Sequence, residues 1–114
     1  MSTILTLHDP QIARRYYAEG WWRADTLYTL MRGHAETRPD AYAVRDSRRR
    51  VTWSALARWV DAIAADLHRA GVKRGSRVSV WLPNCTEAVA VFLACSRNGF
   101  VCNPSLHQNY TVAE

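Results

Sequence analysis

Apolar positions recur at helical spacing in four stretches of the chain and at strand spacing in four shorter ones. The clearest helix starts at Thr52. Leu56, Val60, Ile63 and Leu67 share one face with Trp59 beside them, while Arg58, Asp61, Asp66 and Arg69 lie mostly elsewhere. The Thr52 hydroxyl suits an orphan backbone N–H at the helix start, and Gly71 stands where a left-handed residue closes a helix. A full capping box would need Glu or Gln at position 55, where this chain has Ala55.

Upstream, Asp9-Pro10 predicts an N-cap followed by proline at the first helical position, for a short helix through Ile12, Tyr16 and Tyr17 that stops near Gly20. Trp21 and Trp22 then read as anchors that pin this arm to the body of the protein. Asp25 is the expected cap of a second helix, whose stripe of Leu27, Leu30, Met31 and His34 ends before Pro39. His34 on that stripe reads as a packed core edge rather than a ligand. Ala41 to Val44 and Arg49 to Val51 form an expected hairpin around Asp46-Ser47-Arg48.

Downstream of Gly71, the run Arg77 to Leu82 predicts a strand stopped by Pro83 and Asn84. A helix follows from Thr86 to Arg97, with Val89, Phe92 and Leu93 on one apolar side and Ala88, Val91 and Cys95 on another. That pattern predicts burial on two sides. Asn98-Gly99 closes the helix, and Phe100 to Asn103 is a last short strand before Pro104. Strand, helix and strand with short connections make a βαβ unit with parallel strands and a right-handed crossover, so the fold class is α/β with a small hairpin ahead of it. Thr111 to Glu114 has the residues of a capping box, a helix start signal. A parallel unit also needs further strands and both faces covered, so the expectation is that more chain belongs downstream.

Composition adds little to this picture and removes several alternatives. With 114 residues, 48% of them hydrophobic, and five Trp and five Tyr, a solvated linker is excluded. The net charge of +5 raises nucleic-acid binding, but the basic residues are scattered; Arg48 to Arg50 is the one run, next to Asp46, and it reads as a solvated turn. No nucleic-acid partner is therefore expected. Cys85, Cys95 and Cys102 each sit in apolar surroundings without a Cys-x-x-Cys pair, which predicts reduced, buried thiols rather than a zinc site. No stretch approaches the roughly 18 apolar residues of a membrane span, and Met1 to Pro10 lacks the pattern of a signal peptide, so a cytoplasmic location is expected.

Catalytic patterns are missing. The five glycines form no phosphate loop or dinucleotide fingerprint, and no His-Glu-x-x-His or nucleophile elbow occurs. Lys73, the single lysine, reads as a solvated turn charge rather than a phosphate contact. His107 and Asn109 follow the last strand, on the side where parallel α/β sheets bind ligands, and otherwise read as polar loop residues. No catalytic, cofactor-binding or metal-ligating residue is assigned.

One ordered series of motifs remains. Pro39, the hairpin Ala41 to Val51 and Thr52-Trp53-Ser54-Ala55-Leu56 lead to Gly71-Val72-Lys73-Arg74-Gly75-Ser76-Arg77-Val78. Then come Leu82-Pro83-Asn84, Glu87, Phe92-Leu93-Ala94, Gly99 and Asn103-Pro104. From Asp25 to Glu114 this series resembles the start of adenylate-forming acyl-CoA synthetases, the superfamily that includes luciferases and peptide-synthetase adenylation domains. Tyr17, Gly20, Trp21 and Trp22 are similar to the arm of members acting on aryl, alicyclic or medium-chain carboxylic acids. Ala55 and Ser47 depart from the family's usual Glu and hairpin Gly. The resemblance implies a parent enzyme that joins a carboxylate to the α-phosphate of ATP with magnesium, then passes the acyl group to coenzyme A. The phosphate loop, the nucleotide-binding set and the C-terminal-domain lysine of the family have no counterpart in these residues. The resemblance therefore implies an N-terminal arm (1–24), the incomplete first part of the large N-terminal domain (25–114), and a chain inactive by itself. Its partner is then the rest of the parent enzyme. A stand-alone module that self-associates through exposed apolar surface is the alternative.

Overall fold

The computed structural model describes residues 7–105 and 111–113. The elements run α1 (Pro10–Ala18), α2 (Leu27–Thr37), β1 (Tyr42–Arg45), β2 (Arg50–Thr52), α3 (Trp53–Arg69), β3 (Arg77–Val80), α4 (Thr86–Asn98) and β4 (Val101–Pro104). The α/β class and the helix–hairpin–βαβ order follow the sequence pattern.

The core lies where α2, α3 and α4 meet. Met31 from α2, Leu56, Ala57, Val60 and Ala64 from α3, and Ala90 and Ala94 from α4 are buried together with Val51 of β2. Each large member contributes about 1.5–3 kcal/mol by leaving water. The alanines matter for a different reason: with one methyl each, Ala57, Ala64, Ala90 and Ala94 let the α3 and α4 backbones approach closely. This corrects the expected burial of α4 on two sides. Its buried positions are Thr86, Ala90, Ala94 and Cys95, whereas Val89 and Phe92 are exposed at 39% and 43%. On α3, Ile63 and Leu67 are only half-buried.

Local signals explain most boundaries. The Asp9 carboxylate accepts from Gln11 N–H at 2.8 Å and caps α1. Thr52 Oγ1 accepts from Ala55 N–H at 3.2 Å and caps α3. The α2 cap is Thr26 rather than Asp25: Thr26 Oγ1 accepts from Thr29 N–H, Thr29 Oγ1 accepts from Thr26 N–H, and the Asp25 carboxylate is taken by Arg23. At its other end α2 stops before Arg38, which precedes Pro39 and is disfavoured in helical geometry.

The hairpin pairs Val44 with Val51 and Arg45 with Arg50, with an irregularity between Tyr42 and Val44. The parallel pair β3–β4 matches Arg77 to Val101 through Val80 to Pro104. Bonds from Gly75 N–H to Gly99 O and from Ser105 N–H to Val80 O, both 2.8 Å, bracket it. β3 is shorter than expected because β4 ends at Pro104, so Trp81 and Leu82 have no strand beside them among the described residues. Trp21 and Trp22 correct another expectation. They pack on Tyr16 and Tyr17 of their own arm, with ring centroids 5.2–5.7 Å apart, and stay largely exposed. Glu114, the last member of the expected capping box, lies outside the described residues.

Candidate functional site

Two polar clusters tie the helices together. At the first, the Tyr28 hydroxyl of α2 donates to Asp61 Oδ1 of α3 at 2.7 Å, and Arg97 of α4 donates to the same oxygen at 3.1 Å. Arg32 approaches the other carboxylate oxygen at 3.7 Å. Tyr28 N–H also donates to Ser96 Oγ at 3.2 Å. Burial, followed by the Asp61 carboxylate, pushes the Tyr28 phenol above its ordinary value.

The second cluster joins the hairpin turn to the start of α4. Asp46 Oδ1 accepts from the N–H groups of Arg48 and Arg49 at 2.8 and 3.0 Å, and Oδ2 accepts from Thr86 N–H at 3.0 Å. Cys85, the N-cap residue of α4, offers no side-chain cap, so Asp46 replaces it from 40 positions away in sequence. Glu87 in the first turn of α4 pairs with Arg48 at 2.9 Å and with Arg49. The Thr86 and Arg48 N–H groups hold the Asp46 carboxyl well below the usual carboxylate range. Glu87 is lowered too, first by its own N–H and then by the Cys85 thiol and the two arginines. These bonds join the hairpin and the three helices within the chain, as structural networks do. Sequence patterns did not reveal either one; the missing local cap at Cys85 was the one available signal for the second.

Two concavities border the parallel pair. An open cleft of about 430 Å³ is lined by His68, Gly71, Lys73, Arg74, Asn98 and Phe100. Lys73 is exposed on its rim, at the amino end of β3, opposite to the carboxyl end where α/β sheets hold ligands. Nearer that carboxyl end, a groove of about 250 Å³ runs past Ile63, Leu67, Val78, Trp81, Leu82 and Val91. It is apolar and brings no reacting group. His107 and Asn109 lie outside the described residues. His34 lies tilted against Trp53 with ring centroids 4.6 Å apart and receives Arg38 at its Nδ1, as a packed edge residue does. Among the described residues, no three His, Cys, Asp or Glu side chains converge to hold a metal ion. Among the described residues, no helix is long and apolar enough to cross a membrane.

Comparison with known proteins places this geometry. Residues 31–113 match the family model described as AMP-binding enzyme. The 2-hydroxy-7-methoxy-5-methyl-1-naphthoate–CoA ligase of Streptomyces carzinostaticus is 36% identical over 88 residues, covering 77% of this chain and 16% of the ligase. The salicylyl-CoA synthase/salicylate adenylyltransferase of a Streptomyces species is 37% identical over 89 residues, covering 78% of this chain and 16% of its own length. The apo structure of MbtA from Mycobacterium smegmatis superposes with a TM-score of 0.80 at 36% identity, over 85% of this chain and 18% of that one. The chain thus spans less than a fifth of each of these relatives.

Proposed function

Since the chain belongs to the AMP-binding enzyme family, the AMP-forming acid–CoA and adenylating ligases, we propose that it supplies the scaffold at the start of a carboxylic acid–CoA ligase's large N-terminal domain. The parent enzyme activates an aryl carboxylate with ATP and magnesium and transfers the acyl group from the adenylate to coenzyme A. The family match over residues 31–113, combined with coverage of only 16% of the two ligases, carries this proposal. The relatives named for naphthoate and salicylate support the aryl class of acid. Residues 25–114 form the first part of the domain and residues 1–24 its arm. The parent works in the cytoplasm, and the rest of the enzyme is this chain's partner.

The chain alone is inactive. Its two polar clusters pair carboxylates with arginines, backbone N–H groups and a phenol of the same chain, and its sequence has no glycine-rich phosphate loop. ATP–pyrophosphate exchange tests both halves of the proposal. The 114-residue chain shows none above background with salicylate or acetate, whereas a parent enzyme containing it exchanges with aryl acids in preference to acetate. Exchange by the chain alone overturns the scaffold role, and a parent that prefers acetate overturns the aryl assignment. A second function, as a stand-alone module that self-associates, is supported by the exposure of Trp81, Val101 and Phe92 around the short parallel sheet.

A further inference from the structure

The turn from α4 into β4 brings two cysteines together. Gly99 reverses the chain in the left-handed region, and Phe100 N–H donates to the Cys95 carbonyl at 3.0 Å. Side chains along β4 then alternate. Val101 and Asn103 are exposed, while Phe100 is buried and Cys102 half-buried, so Cys102 shares the covered side with Phe100. Cys95, in the last turn of α4, is 1% exposed. β4 packs against α4, and Cys102 is the titrating neighbour of the Cys95 thiol. Cys85 sits ten positions earlier, at the opposite end of α4, about 15 Å away along the helix axis, and cannot join the pair.

We propose that Cys95 and Cys102 are an oxidisable dithiol, a modification site at which a small disulfide such as oxidised glutathione cross-links the end of α4 to β4. The half-exposed Cys102 reacts first. Its thiolate attacks one sulfur of the small disulfide, a mixed disulfide forms, and one glutathione thiolate leaves. The Cys95 sulfur then attacks the Cys102 sulfur, its proton passes to solvent, and the second glutathione thiolate leaves. Two protein thiols are oxidised to one disulfide while one small disulfide is reduced to two thiols. Burial, with Cys102 beside it, raises the Cys95 thiol to about 11, which keeps Cys95 from reacting directly with reagents in solution and leaves it the resolving role. The cross-link closes a short loop where β4 already packs on α4, so it locks β4 against α4.

The test uses the whole chain carrying Cys85→Ser, so that only the pair remains; serine is a favoured N-cap residue, and this substitution keeps the start of α4. After treatment with oxidised glutathione, both thiols are lost together, the intact mass falls by two hydrogens, no glutathione is retained, and dithiothreitol restores both thiols. Adding Cys95→Ser traps glutathione on Cys102, while Cys102→Ser in its place leaves Cys95 reacting at least about tenfold more slowly than Cys102 did. Should these serine variants fail to give a native circular dichroism spectrum, non-reducing peptide mapping of the unmodified chain decides, by a link between Cys95 and Cys102 with Cys85 still free. A lasting glutathione adduct with Cys95 free, a disulfide between chains, a link through Cys85, or unchanged thiols overturns the proposal.

Discussion

The carboxylate of Asp46, in the turn of the hairpin, accepts the backbone N–H of Thr86, the first residue of α4, at 3.0 Å. The same carboxylate shapes its own turn by accepting from Arg48 and Arg49 N–H. One side chain therefore fixes a local reversal and caps a distant helix. Glu87 completes the junction by drawing the Arg48 and Arg49 side chains onto α4. The hairpin and α4 behave as one unit through these groups.

Asp46→Ala is expected to lower the unfolding midpoint by a few degrees, the scale of one lost helix cap. Asp46→Asn is milder, because its amide oxygen still accepts one bond. The sign of the pH dependence follows from the lowered carboxyl groups. In the native state Asp46 and Glu87 stay ionised below their ordinary values of 3.8 and 4.5. Their contribution is complete above those values and is lost as pH falls through the lower native ones. Denaturant titrations from neutral pH down into the acid range check this: the wild-type chain loses stability more steeply on acidification than Asp46→Asn. Parallel curves for the two proteins contradict it.

The fold was legible where the determinants are local. The caps at Asp9 and Thr52, the stop before Pro39 and the left-handed Gly99 all act within a few residues, and the chain obeys them. The motif series from Pro39 to Pro104 pointed to the family that the comparisons show. Distance in sequence hid the rest. Nothing near Cys85 says that its helix is capped by Asp46, and nothing near Tyr28 says that Asp61 and Arg97 will meet it. The buried face of α4 escapes the sequence pattern for a related reason. Periodicity favours large apolar residues over alanine, yet Ala90 and Ala94 are the positions that let α3 come close, and Val89 and Phe92 are turned outward. Lys73 is exposed in the turn before β3, on the rim of the cleft with His68 and Arg74.

Tyr28 and Asp61 are expected to be energetically coupled. Tyr28→Phe removes the 2.7 Å hydroxyl bond and costs about 1 kcal/mol. Asp61→Ala costs more, because Tyr28 and Arg97 both lose their acceptor. A double-mutant cycle measures a coupling of at least about 0.5 kcal/mol, and additive effects argue against the network. The raised phenol adds a sign at alkaline pH. Its stabilisation is complete below the ordinary value of 10.0 and is lost as pH rises through the higher native one. Tyr28→Phe flattens that alkaline loss.

Gly99→Ala is expected to destabilise the chain by about 1–2 kcal/mol, measured by denaturant unfolding. Its φ of +72° lies in the left-handed region, and an added Cβ would stand 3.1 Å from Arg74 Cγ. The two costs separate in a double variant: Arg74→Ala in the Gly99→Ala background relieves the crowding but leaves the backbone strain. Full rescue by Arg74→Ala would place the whole cost in the contact and contradict the conformational part.

Trp81 is expected to govern self-association of the isolated chain. It follows β3 directly, is 48% exposed, and forms one wall of the apolar groove with Leu82, Val78 and Val91. Val101 on β4, exposed at 43%, adds apolar surface beside Arg77 at the other end of the same parallel pair. A two-stranded parallel sheet with uncovered apolar side chains gains by burying them against any matching surface, and a second copy is always present at the same concentration. Sedimentation at rising concentration therefore finds dimers or larger species. Trp81→Lys weakens that association by about tenfold or more, since burying one large aromatic side chain supplies roughly 1.5–3 kcal/mol and 1.4 kcal/mol is tenfold in affinity. Lys73→Ala, far from the groove at the amino end of β3, leaves it unchanged. A chain that stays monomeric up to about 1 mM, a range that excludes even weak association, would remove the self-association module as a function and leave the scaffold role alone.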